Sequence, residues 1–204
     1  MVDLQRIERK VSVVNHGFIP MKDEAAKIAS GSSVSESLQA AQELLSSERY
    51  QVRAVAVFVL GQIAVESTEA VRILRGRVSR DGSWQVQEIL AKAFDQYCSD
   101  LGYENALPVI KGWLADRNPN VRRAVTEGLR IWNQRDYFKR RPEVAVGLLA
   151  QLKDDDSEYV RRSVGNALRD VSKKERELVR KELATWDTTN DSIAFTYALA
   201  SRFL

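Results

Sequence analysis

The chain has 204 residues, of which 44% are hydrophobic and 29% are charged, and this composition is typical of folded globular proteins and excludes wholesale disorder. The formal net charge is +3, and the single cysteine, Cys98, and single histidine, His16, exclude an internal disulfide framework, a cysteine zinc cluster and a histidine-rich metal site. No apolar stretch is long enough to cross a membrane, and the first residues lack the apolar segment of a signal peptide. We therefore expect a soluble cytoplasmic protein with no membrane partner.

The charge is unevenly distributed along the chain. Residues 118–185 contain sixteen Lys and Arg against eleven Asp and Glu, whereas the remainder is slightly acidic. This modest basic bias is compatible with a polyanionic partner but does not identify one.

The beginning of the chain is expected to be helical, because Gly and Pro are few and apolar residues recur at helical spacing. Residues 3–15 and 21–30 are predicted to form two helices separated by a short connection. Together they make up an N-terminal capping segment over residues 1–33.

Four segments that begin at Tyr50, Trp84, Pro119 and Glu158 align without gaps. Each has a valine at its third position, and successive valines are 34, 35 and 39 residues apart. A large apolar residue follows each valine after eight positions and another after three or four, which is the spacing of one helix face. The anchoring valines are Val52, Val86, Val121 and Val160.

A second amphipathic helix is predicted before each of these segments, over residues 35–46, 68–78, 104–115 and 143–152. Polar turns at 116–119 and 154–157 are expected to supply N-capping side chains. A helix pair that recurs every 35 to 40 residues is the signature of a HEAT-like α-solenoid. The sequence therefore predicts an all-α fold of stacked antiparallel helix pairs with a concave groove.

This solenoid is predicted to be a single domain over residues 1–204. Four core repeats occupy residues 34–173, and residues 174–204 form a C-terminal capping pair with helices over 174–186 and 191–203. The longest non-periodic connection, residues 132–142, is interpreted as an insertion that explains the wider last spacing.

The second helices of such an array line its concave surface, where positions two, six and nine after each valine form a polar stripe. Position two carries Glu88, Arg123 and Arg162 in successive repeats, which predicts a carboxylate beside two arginines. Trp84 lies four residues before Glu88 and so shares its helix face. The other polar side chains of the stripe are Lys92, Asp95, Glu127, Arg130, Asn166 and Arg169.

Residues 120–128 (NVRRAVTEG) and 157–172 (SEYVRRSVGNALRDVS) resemble the HEAT-like-repeat DNA alkylation repair glycosylases, the AlkC/AlkD superfamily, and the similarity covers about residues 35–186. The AlkD branch places a Trp, an Asp one helical turn later and an Arg on the following repeat in its active site. Trp84, Glu88 and Arg123 match this order, with Glu in place of Asp. Asn166 stands where that branch has a further aromatic residue, so the chain is a divergent member.

The resemblance implies a DNA glycosylase that removes cationic N-alkylated purines from double-stranded DNA, as a monomer in the bacterial cytoplasm, with no metal and no cofactor. Glu88 would stabilise the oxocarbenium-like sugar, Trp84 would offer a π-face to the cationic nucleotide, and Arg123 would clamp phosphates. The full set of expected DNA-binding residues is Arg122, Arg123, Arg162, Lys92, Arg130, Arg169, Lys139 and Arg140.

Two other functions fit the same pattern: a non-catalytic relative that binds distorted or branched DNA, and a HEAT scaffold whose groove grips a protein helix. At the residue level, the arginines after each valine would then form salt bridges between repeats. Glu88 would be only the ion-pair partner of Arg123, and Trp84 would be a packing residue.

The remaining features have plainer interpretations. The basic and aromatic stretch 135–141 is either a surface for phosphates or a single strand, or a solvated linker. Trp113 and Trp186 are predicted to lie in the core, Trp132 is left open, and His16 and Cys98 are taken as structural or neutral. The acidic run 154–156 is interpreted as a turn rather than a metal site.

Overall fold

The computed structural model describes residues 3–204, except for the side chains of Ile131 and Trp132. All regular secondary structure in this described range is helical, as predicted. The chain divides into two compact units, one ending at Gly102 and the other beginning at Tyr103. The boundary falls inside the region predicted to hold four continuous repeats, and the prediction of one domain over 1–204 stays a prediction.

The first unit is built from three helix pairs. Their bounds are α1 Leu4–Val11, α2 Ile19–Gly31, α3 Val34–Leu44, α4 Tyr50–Ile63, α5 Thr68–Gly76 and α6 Trp84–Leu101, with a 3-10 turn at Val78–Arg80. Helix α4 packs between α2 on one side and α6 on the other, with α3 and α5 beside it. Since α2 packs on α4 as α6 does, the predicted N-terminal cap is itself a helix pair that continues the repeat.

Local sequence explains where helices of the first unit begin and how closely they pack. Ser33 and Glu36 form a capping box in which each side chain binds the other's backbone N–H. Gly61 of α4 lies so close to α6 that an added Cβ would stand 2.8 Å from the Cα of Ala93. A side chain at this position would therefore force α4 and α6 apart.

The second unit continues the pairwise pattern and ends in the predicted C-terminal pair. Its bounds are α7 Tyr103–Leu114, α8 Pro119–Trp132, α9 Asp136–Arg140, α10 Pro142–Ala150, α11 Glu158–Ser172, α12 Arg176–Leu183 and α13 Asp191–Ala200, with a 3-10 turn at Ser201–Phe203. Helix α11 packs against α8 and α13. The buried hydroxyl of Thr126 on α8 donates to that of Ser163 on α11 at 2.7 Å, which fixes the register of these two helices.

The predicted insertion at 132–142 is not an irregular loop, because it contains the short helix α9. Phe138 is fully buried and packs edge-on against Tyr103 and Tyr137, so it is a core residue and not a free stacking surface. Lys139 and Arg140 remain exposed on α9. The side chain of Trp132 lies outside the described residues.

The acidic turn before α11 was predicted to supply an N-capping side chain, and the structure shows a different contact there. No side chain caps α11, and Asp155 instead accepts the N–H of Ser157 at 2.9 Å. The turn before α8 does use a side chain, since Asn118 accepts the N–H of Asn120 at 2.9 Å. Both turns are nevertheless ordered by side-chain to backbone hydrogen bonds.

The residue directly after the anchoring valine, an arginine in α4, α8 and α11 and a glutamine in α6, fastens its helix to the turn before it. Nη1 of Arg53 donates to the carbonyls of Ser47 and Glu48, and Nη1 of Arg122 donates to those of Asp116 and Arg117. Arg53 and Arg122 also make two-point ion pairs with an acidic residue of the following turn, Asp81 and Asp155 respectively. At the equivalent position of α11, Arg161 donates to the carbonyls of Asp155 and Asp156. At that of α6, Gln87 donates to the carbonyls of Val78 and Asp81.

Several further predictions concern single side chains. Trp113 and Trp186 are buried, and Cys98 is fully buried, where desolvation raises the pKa of its thiol. His16 is exposed in the connection between α1 and α2. None of the helices in the described part of the chain is long and apolar enough to span a lipid bilayer.

Candidate functional site

Trp84 is the first residue of α6 and is 66% exposed, which excludes the interpretation that it is a packing residue. The turn that presents it is tightly held by Asp81. This carboxylate binds Nε of Arg53 at 2.6 Å and accepts the N–H of Ser83 at 2.8 Å. The carbonyl of Asp81 also accepts a hydrogen bond from Gln87 at 2.8 Å. A large exposed indole on a rigid turn is more typical of a binding residue than of a structural one.

Glu88 lies one turn after Trp84 on the same face of α6. Its side chain is 34% exposed, and Oε1 lies 3.8 Å from Nζ of Lys92, a further turn along the helix. The neighbouring helix α4 has the buried residues Ala54 and Phe58 at the equivalent positions. In the first unit, this face of α6 therefore carries an aromatic residue, a carboxylate and a cation in succession.

Arg123 lies in the second unit, at the second position after Val121 on α8. Its side chain is only 11% exposed, and its guanidinium carbon lies 4.3 Å from the ring centroid of Tyr159 on α11. Nη2 also lies 3.6 Å from Oε1 of Glu127, one turn along α8. The face of the Tyr159 ring and the carboxylate of Glu127 therefore both contact the guanidinium of Arg123.

A connected charge network continues along α8 and α11 in the second unit. Arg130 lies 2.9 Å from Glu127 and 3.1 Å from Asp170, and Asp170 also binds Lys173 at 2.9 Å. Burial lowers the pKa of Arg130, but its hydrogen bonds to Glu127 and Asp170 outweigh burial and raise it. Burial raises the pKa of Asp170, but the hydrogen bonds from Lys173 and Arg130 outweigh the effect of burial and hold that pKa below its usual range.

Two predicted DNA-binding arginines of α11 also lie against aromatic rings. Arg162 is half-exposed, pairs with Glu158 at 2.7 Å and lies 5.3 Å from the ring of Phe195 on α13. Arg169 is largely buried, 3.5 Å from Asp170 and 5.6 Å from the ring of Phe203. The rings belong to the next helix layer in each case, as does Tyr159 over Arg123.

Arg122 stands apart from the other predicted DNA-binding residues. It is largely buried, and all three of its guanidinium nitrogens donate to Asp155 or to the preceding turn. The hydrogen bond to Asp155 raises the pKa of Arg122. These contacts give Arg122 the inter-repeat role that the sequence interpretation had offered for Arg123 and Arg162. Arg162 pairs with Glu158 of its own helix.

Sequence reasoning missed the aromatic residues of the second unit, Tyr159, Phe195 and Phe203. Tyr159 directly precedes the valine of its repeat and is 44% exposed. Its position beside an arginine 36 residues earlier depends on how the layers stack, so no local pattern shows it. Among the residues that the structure describes, no three His, Cys, Asp or Glu side chains are grouped so as to hold a metal ion.

Each of the two units offers its own chemistry. The first presents an exposed indole and a partly exposed carboxylate, which suit a cationic ligand. The second presents ordered guanidinium groups, which suit phosphates because their N–H groups form a planar fork.

Comparison with known proteins agrees with the resemblance found in the sequence. AlkD2 from Streptococcus mutans is 44% identical, with 98% of this chain and 97% of that chain covered and a TM-score of 0.95. A predicted DNA alkylation repair enzyme from Enterococcus faecalis is 12% identical over 98% of this chain and 92% of its own, with a TM-score of 0.70, and shows the fold alone.

A third comparison is partial. The uncharacterized protein YhaZ of Bacillus subtilis is 30% identical over an alignment of 120 residues, with 52% of this chain and 34% of YhaZ covered, so the match spans about a third of that curated relative. Residues 21–201 match the family described as DNA alkylation repair enzyme. The HEAT-like helical fold and the predicted kinship are therefore confirmed, and the chain belongs to the DNA alkylation repair enzyme family.

Proposed function

We propose that this protein is a DNA glycosylase that hydrolyses the N-glycosidic bond of cationic N-alkylated purines in duplex DNA. The observation that carries the proposal is the face of α6, where the exposed Trp84 stands one turn before the partly exposed Glu88. Membership of the DNA alkylation repair enzyme family supports it. An uncharged scaffold groove for a protein helix would have no need of this carboxylate.

The chemistry requires a negative charge beside the sugar. As the bond between C1′ and the purine nitrogen breaks, its electron pair goes to the base, whose positive charge is neutralised, and the sugar gains oxocarbenium character. The carboxylate of Glu88 stabilises that developing positive charge and orients a water for attack at C1′. The water supplies the oxygen of the abasic sugar and its proton passes to solvent, so the reaction consumes no metal ion or cofactor.

Trp84 acts on the other charged group of the substrate, the alkylated base. The face of an indole attracts a cation more strongly than that of other aromatic side chains, by about 0.5–2 kcal/mol depending on desolvation. An uncharged normal purine gains none of this attraction. Trp84 therefore favours the damaged nucleotide over its undamaged neighbours.

Phosphate contacts are assigned to Arg123, Arg162, Arg130 and Arg169 of the second unit and to Lys92 of the first. Aromatic rings or carboxylates orient each of these four guanidinium groups in the structure, which reduces the entropy lost when a phosphate binds. Lys139 and Arg140, exposed on α9, are assigned to weaker outer contacts. Arg122 is left out of the set because its N–H groups serve Asp155 and the preceding turn.

We extend the proposal to a monomer that acts in the cytoplasm, where bacterial DNA lies. Which alkylated purine it prefers is an outcome of the experiment. A duplex treated with a methylating agent is incubated with the protein, and free bases are separated by chromatography. We expect release of a methylated purine and no release of normal bases.

Two other outcomes would replace the proposal. Salt-sensitive DNA binding with no base release would favour a protein that recognises distorted or branched DNA. A failure to bind any DNA would favour a HEAT scaffold for a protein partner.

A further inference from the structure

Three cations surround one buried carboxylate where α1 packs on α2. Oε2 of Glu24 on α2 binds Nη2 of Arg6 on α1 at 2.7 Å. Oε1 binds Nζ of Lys10 on α1 at 2.6 Å and Nζ of Lys27 on α2 at 2.8 Å. Because Lys10 and Lys27 share one oxygen, their nitrogens cannot be further apart than these two distances combined. We call Arg6, Lys10 and Lys27 the cation cluster.

The packing of α1 fixes two members of the cluster. Arg6 and Lys10 are one turn apart on α1, and each directly precedes a fully buried residue, Ile7 and Val11 respectively. Through this buried face, α1 packs on α2 and α4. The fold therefore places the cations together before any ligand binds, which reduces the entropy lost on binding.

One carboxylate cannot neutralise three cations. Within the described part of the chain, Glu24 is the one carboxylate that pairs with any member of the cluster. With Glu24 ionised, two positive charges remain in excess. Like charges held this close repel one another, and a dianion bound among them would relieve that repulsion.

The cluster is open to solvent on the side away from Glu24. The side chains of Arg6, Lys10 and Lys27 are 48%, 45% and 59% exposed, whereas that of Glu24 is fully buried. Each cation gives Glu24 one hydrogen bond. Lysine and arginine side chains carry several N–H donors, so the remaining donors can reach an anion from the solvent side.

We propose that the cation cluster binds a phosphate monoester, whose charge of about −1.5 to −2 at pH 7 matches the excess positive charge of the cluster. A phosphodiester of the nucleic-acid backbone carries a single negative charge and should bind more weakly. The ligand is therefore a terminal phosphate group, either of a free nucleotide or at the 5′ end of a DNA strand. This inference does not depend on the proposed function, in which none of the three cations takes part.

The test titrates thymidine 5′-monophosphate into the isotope-labelled full chain at pH 7.5 and constant ionic strength, and follows the backbone amide signals by NMR. We expect saturable shifts of the amides of α1 and α2. The methyl ester of the same nucleotide, which has lost the second negative charge, should bind about fivefold more weakly. Absence of saturable shifts in these two helices, or equal binding of the methyl ester, would overturn the inference.

Lys27→Gln removes one charge from the cluster and leaves Glu24 with two cations. It should weaken binding of the monophosphate about fivefold. Lys22→Gln is the matched control, because it removes the same charge from an exposed lysine of α2 that lies outside the cluster. It should bind like the wild type, and thermal unfolding shows that both variants are folded. An equal loss in the two variants would overturn the inference, because it would show only a general attraction of anions.

A further comparison identifies the source of the phosphate. An oligothymidine with a 5′-phosphate is compared with its 5′-hydroxyl form and with the mononucleotide. Tightest binding of the phosphorylated strand would support a strand end as the ligand, and equal binding of that strand and the mononucleotide would support a free nucleotide. Equal binding of the 5′-hydroxyl and 5′-phosphorylated strands would overturn the inference. None of these measurements involves base release, so they are independent of the outcome for the glycosylase.

Discussion

The guanidinium of Arg122 makes a two-point ion pair with the carboxylate of Asp155, with Nε 2.6 Å from Oδ2 and Nη2 2.6 Å from Oδ1. The Arg122 and Asp155 side chains are 13% and 4% exposed. The next residue, Arg123, faces a tyrosine ring instead. The two adjacent arginines thus differ in their contacts: Arg122 links two repeats through Asp155, and Arg123 lies at the candidate DNA-binding surface.

Arg122→Ala is expected to lower the free energy of unfolding by about 3 kcal/mol, because it leaves the buried carboxylate of Asp155 without its cation. Urea denaturation measures this loss. The salt dependence of DNA binding should stay as in the wild type. A reduced salt slope with unchanged stability would show that Arg122 contacts phosphate after all.

Arg123→Ala, unlike Arg122→Ala, is expected to change DNA binding. Loss of one phosphate contact should weaken DNA affinity and reduce the slope of log affinity against log salt by about 1. Fluorescence anisotropy over a salt series measures the slope, and Arg122→Ala in the same series is the matched control. Identical slopes for Arg123→Ala and the wild type would remove Arg123 from the interface.

Trp84→Ala should change activity without changing stability. The indole is 66% exposed, so we expect the free energy of unfolding to stay within about 0.5 kcal/mol of the wild type. Release of methylated purine should fall about tenfold, because the cationic base loses its π-face. Trp113→Ala is the control, since that side chain is 2% exposed and its loss should cost about 3–5 kcal/mol. Wild-type release by Trp84→Ala would contradict the assigned role.

Much of the fold could be predicted because apolar residues recur at the same helical spacing in each repeat. Val52, Val86, Val121 and Val160 anchor α4, α6, α8 and α11, and all four are buried. Each predicted helix is present, with ends shifted by a few residues. Helix α9 was not predicted, because a segment of five residues is too short to show a helical period.

The site could be predicted only in part. Spacing placed Trp84 and Glu88 on one face of α6, but it could not decide which of two adjacent arginines reaches Asp155, 33 residues further along. Successive residues on a helix point in directions about 100° apart, so which of the two reaches Asp155 depends on how α8 is rotated about its axis in the packed structure, which spacing alone does not fix. Tyr159 could not be found for the same reason, because its contact with Arg123 depends on the packing of α8 against α11.

Stability should depend on pH through Glu24, whose buried carboxylate binds Lys10, Lys27 and Arg6 at 2.6 to 2.8 Å. Burial raises the pKa of Glu24, but the hydrogen bonds from these three cations outweigh it and lower the pKa to about 2. Because the folded pKa lies below the ordinary value of 4.5, the stabilisation is complete above about pH 4.5 and is lost as the pH falls toward 2.

Glu24→Gln should therefore be less stable than the wild type at pH 7. We expect a difference on the order of 2 kcal/mol, since the three cations are about half-exposed and partly screened. Urea unfolding at pH 7, 5 and 3 measures how this difference changes. It should narrow between pH 5 and pH 3, and a constant difference would show that the charge of Glu24 is unimportant.

The central claim, that Glu88 is the carboxylate of a glycosylase, is tested most directly by single-turnover release of methylated purine from duplex DNA. Wild type, Glu88→Gln and Glu88→Asp are compared at protein concentrations that saturate the DNA, so that differences in affinity do not contribute. Glu88→Gln should release base at least about a hundredfold more slowly, and Glu88→Asp, which keeps the negative charge, should retain part of the rate. Equal rates for Glu88→Gln and the wild type would contradict the claim and reduce Glu88 to the partner of a neighbouring cation.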